Sequence, residues 1–273
     1  MGLDPKHVDV NGVRLAYVEH RTATSSAPLV FVHGYALRSS GDLYEKLFAQ
    51  LSREFVVYAI DLRGHGGSNG PESGPWSLAA NADDVASLVE QLGLQGAVYA
   101  GHSIGGYIGM LTEIRHPGTF SILCLLATGP ASGGRSNPEG IADTFIQHGS
   151  DQAVMRDTLG PMYLRRDPRG ASSAAAACSV IAPSVHEAFF PEYQSASLED
   201  RIAEIGSAVL LVNGARDTVV PPEEQHLTAR GLRRSKEVIF SDEGHMLPLE
   251  AADLCAREIM NFVRFDAHKF LAT

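Results

Sequence analysis

Apolar runs of strand length recur along this chain, and most of the gaps between them carry amphipathic stretches. That alternation limits the fold more than any single residue does. The runs fall at residues 8–10, 15–18, 29–33, 55–61, 97–100, 121–128, 209–213 and 237–240. Nothing helical separates the first two, so the sheet opens antiparallel. Later runs alternate with helical spacing, which predicts a mainly parallel eight-stranded α/β sheet with helices on both faces. Helix signals are clearest at 77–92. Ser77 is a good N-cap, Leu78, Ala82, Val85, Val89 and Leu92 mark one face, and Gly93 stands where a helix stops. Residues 43–51 read as a second helix, with Asp42 and Glu45 spaced as a capping box, and residues 249–263 read as the helix that closes the chain.

The pattern breaks between residues 130 and 201. Gly133, Gly134, Pro138 and Gly140 open this stretch, and 143–163 and 171–190 read as helical, interrupted near Pro161 and Pro183. The expected organisation is a core formed by 1–129 and 202–273, with 130–201 inserted as a helical cap between two core strands.

With 273 residues, 44% of them hydrophobic and 20% charged, the chain can bury one large core. A net charge of −10 argues against nucleic-acid binding, and the longest basic stretch, 230–236, reads as a solvated helix end. No apolar run is long enough to span a bilayer, and no signal-peptide pattern is visible. Met1-Gly2 resembles a myristoylation start, but Lys6 stands where that motif needs Ser or Thr. Cys124, Cys178 and Cys255 are odd in number and scattered, which fits buried reduced thiols and excludes a cysteine zinc site. The expectation is a cytoplasmic protein with no metal, no organic cofactor, and no nucleic-acid or membrane partner.

Gly101-His102-Ser103-Ile104-Gly105 lies between the run at 97–100 and a helical stretch from Tyr107 to Ile114. A serine at a strand-to-helix turn, with glycine two residues before and two after, is a nucleophile elbow. Side chains at the flanking positions would collide in so sharp a turn, and the N–H of Ile104 stands at a helix N-terminus, ready for an oxyanion. Such a serine needs a histidine base and an acid to orient it, in the chain order Ser, acid, His. Asp217 follows the run at 209–213 and His245 follows the run at 237–240, both at strand ends where open α/β sheets place their sites. Asp217, near Gly214, also suits a simple turn. His33-Gly34-Tyr35 follows the run at 29–33, where Gly34 allows the N–H of Tyr35 to serve as the second oxyanion donor.

These residues, together with Asp61-Leu62-Arg63-Gly64-His65-Gly66-Gly67-Ser68, resemble the α/β-hydrolase superfamily, in its small esterase, lactonase and haloperoxidase-like branch. The resemblance covers nearly all of the chain outside the cap. It implies that 61–68 is a loop supporting the site, and Asn69 spoils its likeness to a dinucleotide fingerprint. Ser103 stands where dehalogenase-like members carry Asp, and Gly129 to Arg135 holds no alternative acid.

The expected activity is hydrolysis of a small-molecule carboxylic ester or lactone through an acyl-enzyme. Carbon–carbon bond hydrolysis or lyase chemistry on the same residues, and ligand binding without turnover, are the alternatives. The histidine base must be neutral, and a free imidazole side chain titrates near pH ~6.5, so kcat/KM should fall in mild acid. In the cap, Phe145, Met155, Met162, Tyr163, Phe189, Phe190 and Tyr193 line an apolar pocket or, by the stronger expectation, form the segment's own core. His186 in the cap touches substrate or, by the stronger expectation, is a surface residue. Arg165, Arg166 and Arg169 leave charged substrates open.

Overall fold

A computed structural model describes residues 4–70, 76–136, 140–164 and 168–271. Pro138, Arg165, Arg166 and the Met1-Gly2 start lie outside the described residues. The chain opens with β1 (Lys6–Val10), β2 (Val13–His20) and β3 (Ala27–Val32), then α1 (Glu45–Leu51), β4 (Phe55–Ile60) and α2 (Leu78–Gln91). It continues through β5 (Ala97–His102), α3 (Ile104–Arg115) and β6 (Phe120–Leu126). Next come α4 (Ile141–His148), α5 (Gln152–Leu159), α6 (Pro168–Cys178) and α7 (Pro183–Ser195). The last part holds β7 (Ala208–Gly214), α8 (Pro222–Gly231), β8 (Ser235–Phe240), α9 (Leu247–Glu250), α10 (Ala252–Asn261) and α11 (Ala267–Leu271).

The eight strands lie in the order β1-β2-β4-β3-β5-β6-β7-β8, with β1 and β2 antiparallel to their neighbours and the rest parallel. The expected eight-stranded, mainly parallel sheet is therefore present. From β3 the chain steps one way to β4, and from β4 onward it steps the other way to β8. Right-handed crossovers then put α1 on one face and α2, α3 and α8 on the other. The reversal leaves a crevice at the carboxyl ends of β3 and β5, the place where open sheets of this kind hold ligands.

Both faces are covered because the central strands are apolar on both sides. β5 and β7 are buried along their whole length, as continuous apolar runs in a parallel sheet must be. One buried cluster extends from these strands into the segment between β6 and β7, through Phe145, Met155, Leu159, Ala174 and Phe189. Cys124, Cys178 and Cys255 are buried free thiols, and burial pushes the Cys178 thiol up to about 12.

Several local expectations change. Ser77 caps α2 as read, accepting from the Ala80 N–H at 3.0 Å. The capping box at α1 is absent. Tyr44 holds the N-cap position, and Asp42 contributes only its backbone carbonyl, to the Glu45 N–H. Tyr44 is fully buried, and its hydroxyl is committed to the site loops described below. The helix expected to close the chain begins as a separate turn at Leu247. After Asn261 it winds through a π-helical stretch, Phe262–Asp266, into α11. Between β6 and β7 the break before α7 falls at Pro183 as read, while a further break separates α4 from α5 at Gly149 and Asp151, where Asp151 caps α5. Among the described residues no helix is long and apolar enough to cross a membrane.

Candidate active site

Ser103 sits at the junction of β5 and α3 with φ 52° and ψ −120°. A non-glycine residue in that conformation carries strain on the order of 1–3 kcal/mol, held in place by its surroundings. The flanking glycines make the turn possible. A Cβ on Gly101 would lie 2.6 Å from the backbone of Gly105 and Gly106, and one on Gly105 would lie 2.3 Å from the Val32 carbonyl oxygen. Gly105 thus lets α3 start against the end of β3, which joins the two strands flanking the crevice.

His245 follows β8 and turns its imidazole toward Ser103, with Nε2 3.2 Å from Oγ. Its Nδ1 lies 3.0 Å from Oδ2 of Asp217, which follows β7. A carboxylate only accepts, so Nδ1 carries the proton and the Nε2 lone pair faces the serine hydroxyl. The other carboxylate oxygen, Oδ1, accepts from the N–H groups of Val219 and Val220, each at 2.8 Å. One carboxylate oxygen thus closes the local turn and the other meets the His245 ring. The residue is 4% exposed, so neither bond is open to bulk water.

Ile104 is the first residue of α3, where a backbone N–H has no intrahelical acceptor. Tyr35 lies across from it, on the loop after β3. The direction of its N–H follows from its neighbours. The Gly34 carbonyl accepts from His33 Nδ1 at 2.7 Å and from the Leu37 N–H at 3.1 Å. His33 Nε2 in turn accepts from the Leu62 N–H at 3.1 Å, which puts the ring proton on Nδ1. Because the peptide is planar and trans, fixing the Gly34 carbonyl turns the Tyr35 N–H the opposite way. Tyr35, Ser103, Ile104 and His245 all line one cavity of about 110 Å³.

The 61–68 loop braces this arrangement from beneath. Asp61 is fully buried and accepts from the N–H groups of Ser39, Ser40 and Gly67 at 2.7, 2.9 and 2.8 Å, and from the Ser40 hydroxyl. Arg63 makes a two-pronged ion pair with Asp84 of α2, both bonds 2.7 Å long.

The cavity walls are mostly apolar. Phe145, Met162, Phe189, Phe190 and Tyr193 line them, so these side chains face the site instead of serving only as a separate core. Met155 and Tyr163 do not line it and are packed within the protein. Among the described residues no Asp, Glu, Lys or Arg lines the cavity, and Arg169 borders a separate groove with Asp42 and Glu250. Met246, Ile141 and Val219 also reach the cavity, though nothing in their local sequence marks them out.

His186 corrects the surface reading. It is 1% exposed, and its Nδ1 lies 2.5 Å from the Tyr35 hydroxyl. The Tyr35 ring stacks on Phe189 at 3.7 Å, so α7 grips the side chain of a residue that lines the same cavity as Ser103. Burial lowers the His186 imidazole to about 4. Of the other histidines, His226 pairs with Glu237 on the exposed face of α8, and His7 and His268 are exposed. Among the described residues no cluster of His, Cys, Asp and Glu could hold a metal ion.

Residues 29–258 match the model of the Alpha/beta hydrolase family. Among curated proteins, the chain is 27% identical over 256 residues to a bifunctional esterase/perhydrolase from Acinetobacter calcoaceticus, covering 87% of this chain and 92% of that one. It is 26% identical to the dihydrolipoyllysine-residue acetyltransferase component of an acetoin cleaving system from Cupriavidus necator, over 90% of this chain but only 65% of that longer protein. Among solved structures, the enol-lactonase from Burkholderia xenovorans superimposes with a TM-score of 0.82 at 21% identity, covering 94% of this chain and 99% of that one.

Proposed function

The chain belongs to the alpha/beta hydrolase family, and from that membership we propose that it is a serine hydrolase of neutral, moderately hydrophobic carboxylic esters or lactones. The observation that carries this reading is the hydrogen-bonded line Ser103–His245–Asp217 opening onto an apolar cavity. His245 takes the Oγ proton as Ser103 attacks the substrate carbonyl carbon. The N–H groups of Tyr35 and Ile104 hold the oxygen as it becomes an oxyanion. The imidazolium then gives its proton to the leaving alkoxide, leaving an acyl-enzyme. A water deprotonated by the same imidazole attacks that ester and releases the acid. Asp217 keeps the proton on Nδ1 and stabilises the imidazolium.

The cavity speaks to substrate class. Walls of Phe, Met and Ile favour an acyl or alcohol group without charge, since an unpaired charge there would lose its hydration with nothing to replace it. The esterase/perhydrolase relative supports ester chemistry over carbon–carbon bond cleavage. Residues 130–201 are read as the cap that supplies the substrate-facing wall, over a core of 1–129 and 202–273.

The test is turnover of a graded set of acyl esters and lactones by the wild type beside Ser103→Ala. The expected outcome is hydrolysis that prefers short to medium uncharged acyl groups and falls by at least about 10⁴-fold in the variant. Turnover that survives the substitution, or none across the set, contradicts the reading.

A further inference from the structure

One buried side chain in the elbow touches all the site loops, yet the reaction described above gives it no step. His102 immediately precedes Ser103 and is fully buried. Its Nε2 lies 3.0 Å from the backbone carbonyl of His245, 143 residues away. Its Nδ1 lies 2.8 Å from the Tyr44 hydroxyl, and that hydroxyl lies 3.2 Å from the backbone N of Gly34. The direction of every bond follows from the chemistry of the groups. A carbonyl only accepts, so His102 Nε2 carries a proton and donates to His245. Burial, with His245 close by, holds the His102 imidazole well below its ordinary titration range. The ring is therefore neutral, Nδ1 is bare, and it accepts from Tyr44 O–H. The Tyr44 oxygen is then free to accept from the Gly34 N–H.

The result is a one-way line of donors, Gly34 N–H to Tyr44 O–H to His102 Nε2–H to the His245 carbonyl. It starts on the loop carrying Tyr35, passes through the elbow, and ends on the backbone of the base. The loop after β3 also lies directly on this ring. A Cβ on Gly34 would approach His102 Nδ1 to 3.1 Å and Ser103 Cβ to 3.3 Å. Three loops that share no sequence neighbourhood are held in register by one imidazole.

We propose that His102, through Tyr44, is a positioning residue that sets the distance between the Tyr35 N–H, Ser103 and His245. This rests on the reading of Ser103 as nucleophile. Each donor in the line has one acceptor, so substitution breaks a definable link. Tyr44→Phe removes the hydroxyl at the centre of the line. His102→Gln keeps a donor near the Nε2 position for the His245 carbonyl but loses the acceptor for Tyr44. Tyr44→Phe and His102→Gln therefore break the same link by different means.

The experiment follows phosphonylation of Ser103 by a fluorophosphonate, read by intact mass, for the wild type, Tyr44→Phe, His102→Gln and the double variant, alongside ester kcat, KM and Tm. Each single variant should label about ten- to a hundredfold more slowly, the loss expected when reacting groups shift by about an ångström. Ester turnover should show the loss in kcat and little change in KM. The double variant should be no slower than the slower single one, because the shared link can be lost only once. Single variants that label at the wild-type rate overturn the proposal. So do losses that multiply in the double variant in step with falling Tm. A wild type that labels at Ser103 yet hydrolyses no ester sinks the hydrolase reading alone, and the labelling rates still decide the role of His102. A wild type that does not label overturns both.

Discussion

The loops at the ends of β3, β5, β7 and β8 and the helices between β6 and β7 enclose the same cavity, but different forces hold them. The loops are fixed by directional bonds between buried polar groups. Asp61, His33 and His102 each tie backbone N–H or C=O groups of a neighbouring loop, and Asp217 ties backbone N–H groups of its own loop to the His245 ring. The helices are held mainly by stacked and edge-on rings, with few directional bonds such as that of His186 to the Tyr35 hydroxyl. Phe189 lies on Tyr35 at 3.7 Å, Phe190 meets Phe189 at 5.0 Å, and Phe145 meets Phe190 at 5.4 Å. Directional bonds specify positions to a fraction of an ångström, whereas apolar packing tolerates substitution of similar volume. Changes in the loops should therefore alter rate, and changes in the helices should alter which substrate is accepted.

The most severe way to break the loop side is Asp217→Asn. Asn Oδ1 still accepts from Val219 and Val220, so the turn survives, but its amide faces His245 Nδ1 and reverses the ring proton. Ester kcat should fall by about 10⁴-fold with Tm little changed. A loss below about tenfold would remove Asp217 from the mechanism.

Where the two regions meet, His186 makes the contact sensitive to acid. It faces the Tyr35 hydroxyl at Nδ1, with Gly149 beside Nε2 and Phe145 against the ring. Its folded pKa is about 4, against an ordinary 6.5. Between those values the unfolded chain holds a proton that the folded chain lacks, so stability rises with pH and is lost as pH falls from 6.5 toward 4. The linkage is on the order of 3 kcal/mol. His65, lowered to about 3, acts in the same direction. Denaturant unfolding at pH 7 and pH 4.5 should show a smaller drop for His186→Phe than for the wild type. An equal drop would place the acid sensitivity elsewhere.

On the helix side, Phe145→Leu opens the cavity wall while leaving every loop bond in place. Relative kcat/KM for longer acyl esters over acetyl esters should shift by about tenfold. A uniform loss on all esters would erase the division between rate and choice. The smallest effect lies outside the site. Ser77→Ala removes the N-cap of α2 and should cost about 1 kcal/mol by denaturant unfolding without altering kcat. A change in kcat there would mean that the loops respond to distant loosening.

The same contrast explains what could be read from the residues alone. The central strands appear as apolar runs because they are buried on both faces, and the partly exposed edge strands β1 and β8 show short ones. The elbow is visible because its glycines answer a local steric demand, and Asp217 and His245 stand out because they follow recognisable strand ends. The lining of the cavity is a different matter. Whether Phe145 faces a substrate or a neighbour depends on how α4 settles against α7, which no local spacing encodes. His186 was misleading for a related reason. A polar residue in an amphipathic helix ordinarily faces water, and its partner Tyr35 lies 151 residues away. His102 stood in plain view within the elbow, but its partners come from α1's N-cap and the loop after β8. The capping box at Asp42 is absent because α1 starts at Glu45, which leaves Tyr44 and not Asp42 at its N-cap.

The most direct measurement is rapid-quench mass spectrometry of the wild type mixed with a p-nitrophenyl ester. The account predicts a transient gain of one acyl mass, mapped to the peptide carrying Ser103, forming within the first turnover. Steady hydrolysis with no acyl adduct, or with the adduct on another residue, would contradict it.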